Sequence, residues 1–493
     1  MVLAAYLALN LVIGWWCGRK RGEGSAGFFL GGRQVRWWAA AISFFATATS
    51  SISFMALPAK AFTTDWMAFG SAPAQALGGF VVGFFLVGLL RRLNLTTVYG
   101  YLEQRFDRRV RLLGAGLGVL LKVGGRMSVV MLLPALALAT VTGMNVYVII
   151  LLMGIVTTIY AMEGGFEAVV WTDVMQSAVM LGGVALAVYL IVAGVPGGFG
   201  EVLAAGNTAG KFHMLSWAPD VTTPTVWVFV GMFLAHIFSQ VSDQPLMQRM
   251  LATSDVKQAR RTVVLGNLVG LASSVVFFFV GSALWVFYQV HPDRLEAGVA
   301  NDAIFPYFIA NELPVGVVGL IVAALFSAAM GALSSAINST ATIVVTDFQV
   351  ILHPEATDAS KVKVAKLSTL ACGFLGTGMA MYLAYRNVPS LWDEFLKLIA
   401  LIGGGFPGVF ALGLLTKRAT STGVIVGAVA SIAVTWWVQT FTNVSVFLHG
   451  FVAVASCMVI GYLVSLLIGT PRESPAGSRL TFWDTQSAPR NES

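Results

Sequence analysis

Phe45-Ala-Thr-Ala-Thr-Ser-Ser-Ile-Ser53 and Ser239-Gln-Val-Ser-Asp-Gln-Pro245 decide how this chain is read. Both lie inside long apolar segments. The first sets five hydroxyl residues and two alanines at mid-membrane depth, and the second sets polar groups and a proline there. Backbone freed from helical pairing in lipid must line protein or a water cavity. Ser and Thr also glue membrane helices together without breaking them. Paired breaks in corresponding segments, however, point to an inverted-repeat transporter and to its binding site.

The surroundings of the two stretches are those of a membrane protein. Of 493 residues, 57% are hydrophobic and 11% are charged, with a mean hydropathy of +0.80; soluble domains carry about 25% charged residues. No polar stretch is long enough to fold alone, the longest loops lying near 196–224 and 290–313. Apolar windows bounded by charge or by Gly and Pro give thirteen spans, near 2–17, 36–62, 66–90, 112–142, 144–162, 167–195, 225–250, 262–290, 314–346, 364–386, 392–416, 419–441 and 447–469. The first is short for the ~17–25 residues that cross hydrocarbon, so it must borrow length from the basic residues after it, and no cleavable leader is expected before it. The two breaks fall in spans two and seven. That spacing predicts two five-helix repeats of opposite orientation, spans 2–6 and 7–11. The organisation expected is one transporter domain over 1–493: an extra helix and loop (1–35), the first repeat (36–195), the second repeat (224–418), two extra helices (419–470) and a disordered tail (471–493).

The formal charge of +7 is not a nucleic-acid signal, because the basic residues sit in short clusters between apolar runs. Such clusters mark cytoplasmic loops. Arg19, Lys20, Arg21, Arg33 and Arg36 form one; Arg91, Arg92, Arg105, Arg108, Arg109 and Arg111 a second; Arg249, Lys257, Arg260 and Arg261 a third. Lys361, Lys363 and Lys366, then Lys417 and Arg418, complete the set. The opposite loops carry Glu201, Asp220, Asp293, Glu296, Asp302 and Glu312. The N-terminus is therefore expected outside and the C-terminus in the cytoplasm of a bacterial inner membrane.

Ionisable residues at depth are costly and usually functional. Arg126 lies roughly 22 Å beyond Arg111 at 1.5 Å per residue, and a lone guanidinium in a polar cavity suits a carboxylate, held through two parallel hydrogen bonds. The flanking Gly124-Gly125 lets a ligand or another helix come close, and the cavity is read as free of a competing acid. A structural pairing with a helix acid is the bland alternative. Lys122, one turn earlier and shallower, is expected to be structural, within reach of the cytoplasmic interface, and Asp243 and Asp347 to sit structurally near helix ends. Asp173, in Trp171-Thr-Asp-Val-Met-Gln176, either caps a helix or joins Ser334, Ser335, Asn338, Ser339 and Thr340 in an oxygen shell for a monovalent cation. His236, inside a span near a break, either touches solute, passes a proton or merely packs. Cys17, Cys372 and Cys457 have no metal or CxxC spacing and read as packing. No phosphate-binding loop, HExxH or Ser-His-Asp set occurs, which argues against ATP drive and against an enzyme.

Several motifs give the chain a family resemblance along its whole length: Phe28-Phe-Leu-Gly-Gly-Arg33, Ala46-Thr-Ala-Thr-Ser-Ser-Ile-Ser53, Trp171-Thr-Asp173, Ser242-Asp-Gln244 with Gln248-Arg249, and Ala328-Ala-Met to Asp347. It resembles the solute:sodium symporter family, all-α membrane proteins with a LeuT-like five-plus-five inverted repeat. Within that family, Pro58-Ala-Lys-Ala-Phe-Thr-Thr-Asp-Trp66 and the Gly-Arg pair ending at Arg126 are most similar to the bacterial sialic acid symporters. The resemblance implies that Arg126 clasps a solute carboxylate with Ser50 and Ser53. It implies a sodium site at Asp173, Ser334 and Ser335, and a second, shared one at the carbonyls of Ala46, Thr49 and Ala328.

The chain departs from that pattern at four positions. Gly331 and Ala332 stand where the shared site has hydroxyls, Ala72 where a glutamine contacts the sugar, and Ala48 where the broken helix has a threonine. The expectation is a monomeric symporter importing a small carboxylated solute, a sialic acid or related sugar acid, with one or two Na+ ions and no organic cofactor. It works by alternating access, with a bundle of spans 2, 3, 7 and 8 moving against the rest. A neutral sugar or amino acid symporter and a proton-coupled or sodium-independent variant are the alternatives; a channel, an enzyme and a transport-dead sensor are the rival classes.

Overall fold

The computed structural model describes residues 2–20, 24–299, 301–386, 399–468 and 480–483, and every regular element among them is helical. The first, α1, spans Val2–Lys20, so it takes up the basic residues that its apolar stretch needs for length. Arg19 folds its guanidinium back over the Trp15 ring, 3.9 Å from the centroid. Among the described residues nine helices are long and apolar enough to cross a membrane, and two bent pairs raise the number to eleven.

The bent pairs are the two stretches that opened the reading. Helices α2 (Trp37–Ala48) and α3 (Ser51–Thr63) meet at 57° across Thr49 and Ser50, both extended. Further along come α4 (Met67–Arg92), α5 (Tyr99–Arg105), α6 (Arg108–Ala139), α7 (Val146–Ala193) and α8 (Gly198–Thr208). The second bent pair is α9 (Val226–Ser242) and α10 (Gln244–Leu251), which meet at 62°. Asp243 is extended there, and Pro245 sits in the first turn of α10, where a missing N–H costs nothing. A proline deeper in the helix would take away an internal hydrogen bond, so the first turn is where Pro245 costs least.

The remaining helices are α11 (Val256–Val290), α12 (Ile304–Glu312), α13 (Gly316–Leu352), α14 (Asp358–Arg386), α15 (Gly405–Leu415), α16 (Ser421–Phe441) and α17 (Val446–Ile468). At 48 residues, α7 is about 72 Å long, more than two hydrocarbon thicknesses. It is interrupted at Gly165, whose φ of 60° and ψ of −150° only glycine adopts easily. A methyl group at Gly165 would also stand 3.0 Å from Phe28 O.

Two groups of helices form around the breaks. Helix α11 packs on α2, α3 and α4, and α4 packs on α9, while α10 contacts both α2 and α11. In the other group α7 packs on α13, α14 and α6, and α14 packs on α13 and α6. The groups meet where α2 lies against α7 and α13. The first group is called the bundle below and the second the scaffold.

The structure corrects several expectations. Arg249 is not a loop residue: it is fully buried in α10. Arg91 and Arg105 are buried too, donating to the carbonyls of Thr253 and Thr416 among others, because short connections fold back over the helix ends. Lys122, shallow by its place in the helix, is buried within the protein. Asp347 is structural, as expected, accepting from Thr97 and from Arg111, which also pairs with Glu103. The tail is not disordered throughout. Leu480 and Thr481 are buried, Tyr101 Oη donates to Leu480 O, and Trp483 Nε1 donates to Leu415 O at 2.7 Å. An apolar residue and an indole next to open carbonyls at the end of α15 give this short segment something to dock on. The rest of the tail, and the start of the span expected at 392–416, lie outside the described residues.

Candidate functional site

Arg126 stands at the end of a π turn, Lys122–Arg126, inside α6. Such wide turns are rare and gather at functional sites. A methyl group at Gly124 or Gly125 would meet no described atom within 4 Å, so the pair leaves room beside the guanidinium. Arg126 Nη2 donates to Thr47 O at 2.6 Å, and Nη1 donates to Asp243 Oδ2 at 3.1 Å. Thr47 lies in the last turn of α2, whose carbonyls lose their helical partners at the break. Asp243 is the residue at which α9 stops. One guanidinium therefore ties the two breaks together, from the scaffold side.

This overturns the expectation of a cavity free of a competing acid. Distance along the sequence set Asp243 near a helix end, but the 62° bend turns it toward α6. Side-chain exposures of 20% for Arg126 and 23% for Asp243 leave both within reach of water. Ser50 makes no capping bond, and neither its hydroxyl nor that of Ser53 has a hydrogen-bond partner among the described residues. Ala48 is exposed at the end of α2, and Ala72 is half-buried in α4.

Asp173 is fully buried in α7 and already paired. Its Oδ2 accepts from Ser43 Oγ at 2.5 Å and from Arg249 Nη2 at 3.2 Å. Arg249 also donates to Ser335 Oγ, which lies 2.9 Å from Thr47 Oγ1. The simple picture of a carboxylate in a shell of hydroxyls is thus corrected: an arginine on α10 takes half of it. The other half stays open. Asp173 Oδ1 and Gln176 Oε1 are buried without a hydrogen-bond donor among the described residues. Both face Gly331: a methyl group there would lie 3.3 Å from Asp173 Oδ1, 3.0 Å from Gln176 Oε1 and 3.6 Å from Ala46 Cβ. Two unpartnered oxygens aimed at one place, one of them anionic, make a cradle for a monovalent cation.

Ser334 Oγ sits at the same level of α13 and donates to Gly331 O at 3.1 Å. Ser339 and Thr340 instead direct their hydroxyl protons to Ala336 O, and Asn338 accepts from Gln248, so these three serve packing. Ala46, Thr49, Ala328 and Ala332 are buried close by on α2, the break and α13. Gln176 was missed by the sequence reading although it stands in the quoted Trp171 to Gln176 stretch. Its spacing of three from Asp173 puts both on one helix face, and that signal could have found it.

His236 is half-buried and packs against Gly78 of α4, where a methyl group would come within 3.2 Å of its ring. That is close helix packing, with no hydrogen bond to the imidazole among the described residues. Beyond α8, Lys211 Nζ donates to Phe62 O and Thr64 O, each at 2.7 Å, and so caps the far end of α3. Burial pushes its pKa below the ordinary lysine value, and Asp65 pulls it partly back.

With this geometry in place, comparison with known proteins is informative. The model of the sodium:solute symporter family matches residues 28–431. The sodium/sialic acid symporter NanT of Aliivibrio fischeri is 35% identical over 471 residues, covering 94% of this chain and 92% of its own. The sodium/sialic acid symporter SiaT of Proteus mirabilis is 35% identical over 476 residues, covering 96% and 95%. A solved Na+-coupled sialic acid symporter, substrate-bound and outward-open with a novel Na+-site, superposes with a TM-score of 0.88 at 33% identity over 96% of this chain and 98% of that one.

Proposed function

Because the chain belongs to the sodium:solute symporter family, we propose that it imports a sialic acid, or a related sugar acid, together with sodium. The observation that carries this reading is Arg126, a partly exposed guanidinium at the meeting point of two broken helices. The solute carboxylate binds there through two parallel hydrogen bonds, and the hydroxyls of Ser50 and Ser53 complete its contacts. Ala48 and Ala72 line the same space and leave it roomier and less polar than a threonine and a glutamine would.

Sodium enters as a second substrate. Asp173 Oδ1, Gln176 Oε1 and the hydroxyls of Ser334 and Ser335 form its main site, and carbonyls of Ala46, Thr49 and Ala328 form a weaker one. Gly331 and Ala332 give the weaker site no side-chain oxygen, so the Asp173 site dominates coupling. Ion binding joins α7 and α13 of the scaffold to α2 of the bundle, which favours the state that binds solute; solute favours ion binding equally, by linkage.

Thirteen spans follow if the two halves of α7 cross separately and α15 completes a span with the residues before it. An odd count sets the termini on opposite sides, with the basic connections in the cytoplasm of an inner membrane. The protein works as a monomer, since the site is built within one chain.

The test is uptake of labelled N-acetylneuraminate into proteoliposomes under an inward sodium gradient, with a potassium control. Sodium-driven accumulation is expected. Accumulation indifferent to sodium would move coupling to protons, and no accumulation would overturn the substrate.

A further inference from the structure

Arg126 offers a carboxylate two terminal nitrogens, and both are already engaged. Thr47 O takes Nη2 and Asp243 takes Nη1. Three of the five N–H groups stay open, but a solute carboxylate that approaches them meets the like charge of Asp243 on the same guanidinium. The geometry points to a role for Asp243 as a built-in competitor for the solute: it holds Arg126 before solute arrives and moves onto Lys122 when solute takes its place. This rests on the reading of Arg126 as the carboxylate anchor.

Three features let Asp243 move. It lies at the break between α9 and α10 with φ −82° and ψ 100°, and its side chain caps neither helix. Swinging it therefore breaks no helical hydrogen bond. Its carboxylate and the guanidinium are both reached by water, so a solute can exchange with it. A second cation also waits nearby. Lys122 begins the same π turn that Arg126 ends, is 6% exposed, and has no hydrogen bond or ion pair among the described residues. Asp243 is the charge that acts on it most strongly. A buried ammonium without a partner is costly, so Lys122 offers the displaced carboxylate a favourable seat.

The charges make the device selective. Lys122 and Arg126 carry two positive charges against the single negative charge of Asp243, and one solute carboxylate completes the balance. A neutral sugar brings no charge with which to displace Asp243. Specificity then comes from an obstacle that only an acid removes. The exchange also has a mechanical side. Asp243 belongs to the bundle and Arg126 to the scaffold, so the arriving acid unties one bridge between the two moving parts.

A competitor lowers apparent affinity by the fraction of sites it occupies. The experiment is calorimetric titration of purified full-length protein with N-acetylneuraminate in sodium buffer. Asp243→Asn is expected to bind about tenfold more tightly than wild type, Lys122→Met about tenfold more weakly, and Asp243→Asn/Lys122→Met at least as tightly as wild type. A merely structural Asp243 would give weaker binding in Asp243→Asn, and equal or weaker binding in that variant overturns the proposal. If Asp243→Asn does not fold, Asp243→Asn/Lys122→Gln, which removes one charge of each sign, carries the same comparison. Arg126→Ala is expected to lose binding. Wild type that fails to bind, or Arg126→Ala that still binds, overturns the carboxylate anchor and this proposal together; wild-type binding with an indifferent Asp243→Asn overturns the competitor alone.

Discussion

At Gly331 a methyl group would stand 3.0 Å from Gln176 Oε1, closer than side-chain carbons normally approach. Gln176 has little freedom to yield, because its Nε2 donates to Asn10 Oδ1 at 2.7 Å. The family resemblance suggests that serine at both Gly331 and Ala332 would restore lost ligands and raise sodium affinity or stoichiometry. The packing reverses that expectation. Gly331→Ser crowds the two open oxygens, and overpacking of this kind costs about 1–3 kcal/mol. Sodium half-saturation of transport should rise several-fold, and a fall would show that a hydroxyl fits the cradle after all. Asp173 carries a related lesson. Its pairing with Arg249, both residues fully buried, means that removing the carboxylate strands a buried guanidinium at a cost of about 3–5 kcal/mol. Loss of transport on changing Asp173 therefore reports the fold as well as the ion.

The π turn in α6 is the element that carries the proposed solute anchor, Arg126. Its extra residue widens one turn, and Arg126 at the end of that turn meets Asp243 while the flanking helical segments keep their own faces. Deleting Gly124 should return this turn to an ordinary α-helix and leave both flanks packed. The deletion variant is expected to stay monodisperse with a near-native melting temperature and to bind N-acetylneuraminate at least about tenfold more weakly. Unchanged affinity would show that the wide turn does not position Arg126. The bent pairs act at the same scale. At each, a polar or proline-bearing run ends one helix and starts another, and the freed groups meet the guanidinium between them.

At the scale of the molecule, bundle and scaffold touch along α2, α7 and α13, with the ion cradle in that seam and Arg126 bridging the two parts. The orientation proposed for this assembly can be tested with single cysteines, because Cys17, Cys372 and Cys457 are all buried and give a quiet background. Trp217→Cys, at a position 68% exposed, should react with a membrane-impermeant maleimide in intact cells. Glu355→Cys, in the connection between α13 and α14, should react only after permeabilisation. The reverse pattern would invert the topology.

The amino-acid sequence by itself determined the membrane class, the two breaks, the repeat and which ionisable residues lie at depth. Those properties are local: apolar length, a hydroxyl-rich run, a proline and a lone arginine are each legible within one turn or one span. It did not determine who partners whom. Asp243 turned toward Arg126, Arg249 drawn onto Asp173, Lys122 buried without a hydrogen-bond partner among the described residues and Gln176 aimed at Gly331 all depend on how helices distant in sequence bend and pack. A charged side chain at depth is stabilised chiefly by partners on other helices, since most backbone groups of its own helix are already paired. Which partner it finds is a question of three-dimensional distance, and only the tertiary structure answers it.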